Sequence, residues 1–298
     1  MWAFFVQERR KFMIYGNDLS HHQSADAVIQ LAEKGKAEFL IFRTGFGTYS
    51  EDKNFARYIR NSEEKNIPKG IYHASYAGTV QEAVQEADFC IGLLEETGAK
   101  TEMPVFFDYE YFSAEYNAKR GIATTPQLVQ QLTEAFCERV KQRGYRAGVY
   151  FNRDYLVRFY TEEYFKSHPD YATWYARPGY AQPDYPCDLW QYASDDGAAD
   201  FGYRGAIDKN ILMNRNILIS AADRQDNQLQ EEISRLEKAL AEEKAAAAAY
   251  RAKVQSLTDK TQALSSMLAA EKSGRKQSEK EKLQLKDKLD RIKQIIGG

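Results

Sequence analysis

The chain has 298 residues, 43% of them hydrophobic and 13% aromatic, and a formal net charge of −2. Near-neutral charge leaves no electrostatic footprint for nucleic acid. No segment reaches the ~18 apolar residues of a membrane helix, and cysteines at 90, 137 and 187 form no zinc-type spacing.

The first segment, MWAFFVQERRKFM, places its apolar run before its charges. A secretory signal needs the reverse order and a longer run. Arg9-Arg10 can be encoded by a ribosome-binding sequence, with Met13 at spacer distance, so residues 1–12 are expected to be a translated leader or an extension. The fold is expected to begin at Met13.

From Met13 onward, apolar runs alternate with amphipathic stretches. Strands are expected at 13–19, 37–45, 69–75, 103–110, 146–151, 172–177, 187–193 and 206–212. Helices are expected at about 24–35, 52–66, 79–97 and 125–143, with loops dominating beyond Tyr155. Near-continuous apolar strands separated by helices indicate a parallel sheet covered on both faces. Eight strands in so short a span predict an α/β fold, an irregular (β/α) barrel of TIM type; a doubly wound open sheet is the alternative. The three cysteines read as buried small hydrophobes in a reducing compartment.

All but one of the Trp, Tyr and Phe residues precede residue 221, Tyr250 being the exception. The C-terminal part therefore cannot build a globular core. Instead, apolar residues recur at alternating steps of four and three from Leu229 to Ile296, with a polar stretch between 271 and 282. That period predicts a long C-terminal α-helix in a coiled coil. A homo-oligomer through residues 221–298 follows, dimer and trimer both open, with a parallel dimer favoured. The expected organisation is a catalytic domain at 13–215 and a linker with coiled-coil helix at 216–298.

The run MPVFFDYEYF ends a buried strand with two acids at i and i+2. Strand geometry puts Asp108 and Glu110 on one face, with Cα atoms ~6.6 Å apart. At the C-terminal end of a barrel strand this is where active sites lie. Two close carboxylates can differ in pKa, as glycoside hydrolysis requires; two solvated acids at a strand end are the plainer reading. Asp18, Arg43, Tyr72, Tyr150, Trp174, Gln191, Tyr192 and Asp208 also lie in or at the ends of expected strands. Aromatic faces beside acids suit a sugar, although aromatics in strands are more often core. His21, His22, His73 and His168 form no metal-binding pattern, so neither metal nor cofactor is expected.

Six motifs in order carry a family resemblance: GNDLSHHQ at 16–23, FRTGFG, GIYH at 70–73, Asp108-Tyr109-Glu110, WQYAS, and IDKN at 207–210. Over Met13 to about Leu212 the chain resembles glycoside hydrolase family 25, the Chalaropsis-type lysozymes. The resemblance implies a muramidase that cuts the β-1,4 bond between N-acetylmuramic acid and N-acetylglucosamine in bacterial peptidoglycan. Glu110 would be its general acid/base, and Asp108 would stabilise an oxazolinium-like intermediate formed by the substrate's own N-acetyl group. Asp18 and Asp208 would line the groove; Tyr72 and Tyr150 would be sugar contacts. TWYARPG in strand six and Lys209 in the closing motif depart from the family pattern and bear on subsite detail. With no signal peptide, such an enzyme would be made in the cytoplasm and reach the wall by phage-type lysis release, as an endolysin does. A structural or wall-binding barrel on a coiled-coil stalk is the competing reading.

Overall fold

The computed structural model describes residues 13–219 and 221–296, with side chains in the latter segment given from Ile233 onward. The proposed leader, residues 1–12, lies outside the described residues. The chain divides into two compact units, one up to Arg224 and one from Gln225.

The first unit is a closed barrel. In chain order it comprises β1 (Ile14–Leu19), α1 (Ala27–Lys34), β2 (Phe39–Phe46), β3 (Ser50–Glu51), α2 (Phe55–Glu64), β4 (Lys69–Ala74), α3 (Val80–Glu96) and β5 (Val105–Asp108). Then come α4 (Tyr111–Lys119), α5 (Pro126–Gln142), β6 (Ala147–Asn152), α6 (Thr161–Ser167), β7 (Ala172–Ala176), β8 (Leu189–Gly197) and β9 (Ala206–Leu212). A helical turn at Arg153–Tyr155 and a π-helical turn at Leu156–Tyr160 lead into α6. All eight expected strands form, and β3 is a two-residue antiparallel extension of β2.

Closure comes from β1, which pairs in parallel with β2 and antiparallel with β9. An open doubly wound sheet is thereby ruled out. Strand β9 also runs antiparallel to β8, while the other neighbours pair in parallel. The connection from β8 to β9 carries only a short 3-10 turn, Ala199–Phe201. It therefore works as a hairpin, whereas a parallel return needs a crossover of a dozen or more residues.

Strand alternation sorts the side chains into two cores. Outward-facing residues such as Leu40, Phe42, Ile71, Phe107 and Val149 pack under the helices with Leu31, Ile91, Leu132 and Phe136. Inward-facing Phe39, Ile41, Phe106, Trp174, Leu189 and Leu212 fill the barrel. Large and small residues interlock there. A Cβ on Gly16 would sit 2.4 Å from the Phe39 ring, and one on Gly148 would sit 2.5 Å from the Phe106 ring.

Helix starts follow local chemistry. Thr79 accepts a hydrogen bond from the Glu82 N–H, and Thr125 accepts one from Leu128 with Pro126 opening the helix. The cysteines are free; Cys90 and Cys137 are buried, whereas Cys187 is only partly so. Among the described residues no helix is long and apolar enough to cross a membrane.

The second unit is one helix, α7, continuous over Ala221–Ile296. From Ile233 onward its side chains are exposed, including Ile233, Leu236, Leu240, Leu257, Leu285 and Leu289.

Candidate active site

A cleft of about 590 Å³ opens at the barrel mouth formed by the C-terminal ends of β1, β2, β4 and β5. Its walls carry Asp18, Arg43, Tyr72, Asp108, Glu110 and Asp208, six of the ten residues singled out in the sequence. Asp208 reaches this mouth because β9 is reversed. Its first residues, not its last, lie beside the end of β1, with Asp208 paired to Asp18 across the ladder.

Asp108 ends β5, but Glu110 is not in the strand. It is the residue preceding α4, and its backbone is still extended (φ −131°, ψ −163°). Tyr109 between them turns outward and is fully buried in the core under the helices. The two acids therefore share the inner side, as alternation requires, while the Glu110 N–H donates to Ser113 Oγ at 3.0 Å to start the helix.

Burial sets the electrostatics. Burial and the neighbouring Glu110 carboxylate push Asp108 well above the usual carboxylate range, and the Arg43 guanidinium opposes the rise. Its buried Oδ1 meets no hydrogen-bond donor among the described residues. Glu110 is pushed up to about 7, chiefly by burial, against a 3.3 Å hydrogen bond that Asn152 donates to its Oε2. Asp18 is raised well above its ordinary value by burial and by the charge of Asp208, and Asp208 is raised mainly by burial. Four acids in one partly dry cleft cannot all ionise together at little cost. The mouth thus holds protons near neutrality, which an acid catalyst needs.

Arg43 is anchored from behind. Its Nε and Nη2 donate to Oδ2 of buried Asp52 at 3.1 and 2.9 Å, and Nη2 also contacts His21 Nδ1. The same Asp52 oxygen accepts the His21 N–H at 2.8 Å.

The other four candidates sit elsewhere. Trp174 is 1% exposed inside the barrel; its Nε1 donates to Asn210 Oδ1 at 2.9 Å, and its ring meets Tyr72 and Tyr150 edge-on. Tyr150 donates to Gln191 Oε1 at 3.0 Å. Gln191, itself buried, donates to Asp18 and Asp208 at 3.1 and 3.3 Å. Trp174 and Gln191 support the cleft from beneath, while half-buried Tyr150 stands close enough to feel the charge of all four acids. Tyr192 packs against Tyr15 and Trp190, because Gln191 takes the inward position and the next residue must face out. His73 is likewise structural. Buried between Thr44 Oγ1 and the Gly47 carbonyl, it is lowered to about 4 by burial.

Sequence reasoning missed Asn152, Asp52 and the aromatic side of the rim. Asn152 continues the inward series Gly148, Tyr150, and strand period could have found it. Asp52 and the rim aromatics Phe46, Tyr76 and Phe112 lie on or beside connecting segments, where no periodic signal exists. Tyr76 packs on Phe46, Phe112 and Tyr116. Among the described residues no group of His, Cys, Asp and Glu could hold a metal ion.

Similarity to known proteins agrees with this geometry. Residues 17–201 match the family model for glycosyl hydrolases family 25. Among solved structures, the modular autolysin LytC of Streptococcus pneumoniae, described in complex with a synthetic peptidoglycan ligand, is similar with a TM-score of 0.56 at 22% identity. That match covers 67% of this chain and 46% of the autolysin, so this chain spans under half of that protein. The catalytic domain of endolysin ply40, from bacteriophage P40 of Listeria monocytogenes, gives a TM-score of 0.52 at 21% identity, covering 72% of this chain and 97% of that one. A bacterial lysozyme from Streptomyces coelicolor gives 0.54 at 18% identity, covering 71% and 97%. No curated protein matches the chain. With the family model spanning more than half of its length, the chain belongs to glycosyl hydrolase family 25.

Proposed function

We propose that this glycoside hydrolase acts on bacterial peptidoglycan, cutting the β-1,4 bond between N-acetylmuramic acid and N-acetylglucosamine. The hydrolase domain is assigned to residues 13–215, and 216–298 to a linker and helix. The observation that carries the reading is the pairing of largely buried Glu110, pushed up to about 7 by that burial, with deeply buried Asp108 at the mouth of a family 25 barrel.

In this reading Glu110 gives its proton to the glycosidic oxygen as the C1–O bond breaks. The carbonyl oxygen of the substrate's acetamido group attacks C1, giving an oxazolinium ion. Asp108, in its ionised form, accepts a hydrogen bond from the acetamido N–H at its open Oδ1 and stabilises the positive charge that develops there, with no proton gained or lost at Asp108 in this step. Water then adds to C1, returns its proton to Glu110, and the ring opens with the acetamido group restored. Asp18, Asp208, Arg43 and Tyr72 bind the sugar, and the aromatic rim offers flat faces to a neighbouring ring. A purely wall-binding barrel has no use for two acids held partly protonated at its mouth.

The test is lysis of bacterial walls by wild type and Glu110→Gln. The amide cannot protonate the leaving group, so activity should fall by roughly 10²–10⁴-fold or more with the fold retained. Near wild-type lysis by the variant would overturn the assignment.

A further inference from the structure

We propose that α7 binds a second copy of this chain as an antiparallel coiled coil, in the register that sets Ile233 of one copy against Ile292 of the other. The helix is unbroken over its 76 residues. Its apolar residues follow steps of three and four, which on a left-handed supercoil line up along one seam, interrupted by Glu243, Thr261 and the polar stretch at 271–282. Left alone, that seam faces water: Leu240 is 51% exposed, Leu257 55% and Leu285 65%.

Charge within the seam selects the orientation. A parallel pair sets each position against its own copy, so Glu243, Glu271, Arg275 and Lys282 would form four like-charge layers at the dry interface. In the antiparallel register Glu243 faces Lys282, Tyr250 faces Arg275, a guanidinium over an aromatic ring, and Glu271 alone of the four charges faces an apolar residue, Val254. The apolar ends meet as well: Leu236 faces Leu289, Leu240 faces Leu285, and Leu257 faces Leu268.

Sliding one heptad either way breaks this match. It sets Leu236 against Lys282, or Leu257 against Arg275. Among the flanking charges the antiparallel register sets Glu237 beside Lys286 and Lys244 beside Glu279, against one like-charge pair, Arg251 beside Lys272; a parallel pair sets Glu281 beside Lys286 but Lys288 beside Lys293. Along the single helix Arg275 already bonds Glu271 at 2.7 Å, so the two charges nearest Tyr250 of the second copy enter the interface as a neutral pair. An internal hairpin making the same contacts would have to turn at residues 261–264, Thr-Gln-Ala-Leu, which are helical and hold neither Gly nor Pro. Gly274 lies within the helix and away from that midpoint.

Two experiments on the full chain test orientation and stoichiometry. In sedimentation equilibrium, Lys282→Glu should weaken dimerisation at least tenfold, since it opposes Glu243. The double change Glu243→Lys with Lys282→Glu should restore it. In a parallel dimer Lys282→Glu only exchanges one like-charge layer for another, so an unchanged dimer would overturn the orientation. In a Cys187→Ser background, oxidation of mixed Leu240→Cys and Leu285→Cys chains should give a cross-linked heterodimer, while each variant alone stays uncross-linked. Cross-linking of either variant alone, a trimer, or a monomer at micromolar concentration would overturn the proposal.

Discussion

Asp18 and Asp208 face one another across the β1–β9 ladder, and the Gln191 amide donates to both carboxylates. Burial pushes both above their ordinary values. A group that holds its proton more tightly folded than unfolded stabilises the fold at low pH, and that contribution is lost as pH rises through the folded value. Asp208→Asn should therefore raise the melting temperature at pH 8 and change it little at pH 4. Calorimetry at the two pH values is the check. Wall lysis by this variant should fall between wild type and Glu110→Gln.

Glu86 shows the same linkage away from the chemistry. It accepts the Ser75 hydroxyl at 2.5 Å and the Tyr76 N–H at 2.8 Å, holding the loop that carries the rim aromatic Tyr76. Burial pushes it up to about 7. Its ionisation between pH ~4.5 and neutrality should cost the fold on the order of 3 kcal/mol by pH 8. Glu86→Gln keeps an acceptor for Tyr76 and removes that loss. The stability gap between variant and wild type, measured by urea unfolding, should open as pH rises from 4 to 8.

Activity should follow the Glu110 proton. With its acid near 7, hydrolysis should fall about tenfold per pH unit well above neutrality. Asn152→Ala removes a hydrogen bond that favours the ionised carboxylate, so the alkaline limb should move to higher pH. A pH–rate profile on soluble wall fragments decides this, and an unmoved limb would count against Glu110 as the titrating acid.

In the proposed mechanism Asp108→Asn should lose activity on a scale similar to Glu110→Gln, because a neutral amide cannot stabilise the positive charge proposed to develop at the acetamido group. Substrate binding should be altered far less than turnover. A loss confined to KM would point instead to a binding role.

The barrel interior offers a test of the fold itself. Gly148→Ala drives a methyl group to 2.5 Å from the Phe106 ring and 2.9 Å from the Ala172 carbonyl oxygen. Overpacking of this kind costs roughly 1–3 kcal/mol. The variant should melt several degrees lower, and Phe106→Leu should recover part of the loss.

Much of this was legible in the residues alone. Near-continuous apolar runs and period-3.6 patterns located eight strands and four helices, because burial on both faces of a barrel wall imposes them directly on sequence. Asp108 and Glu110 stood out for the same reason: two acids at i and i+2 just where an apolar run ends have only the mouth to face. Helix α4 was missed because it is short and only weakly amphipathic. The one-helix nature of the tail was likewise written in its steps of three and four.

Tertiary structure decided what strand ends alone could not. Whether a residue lines the cleft depends on closure, strand direction and what its neighbours occupy. Reversal of β9 brought Asp208 to the mouth. The inward turn of Gln191 sent Tyr192 outside, and the space left by Gly16 and Gly148 let the Phe39 and Phe106 rings fill the barrel beneath the acids. Asp52, just beyond the FRTGFG motif, fixes Arg43 through contacts that only the folded hairpin creates. The proton affinities belong to this second class too. They arise from water excluded by the closed wall and from acids brought together from β1, β5, the start of α4 and β9, a convergence no local stretch of sequence contains.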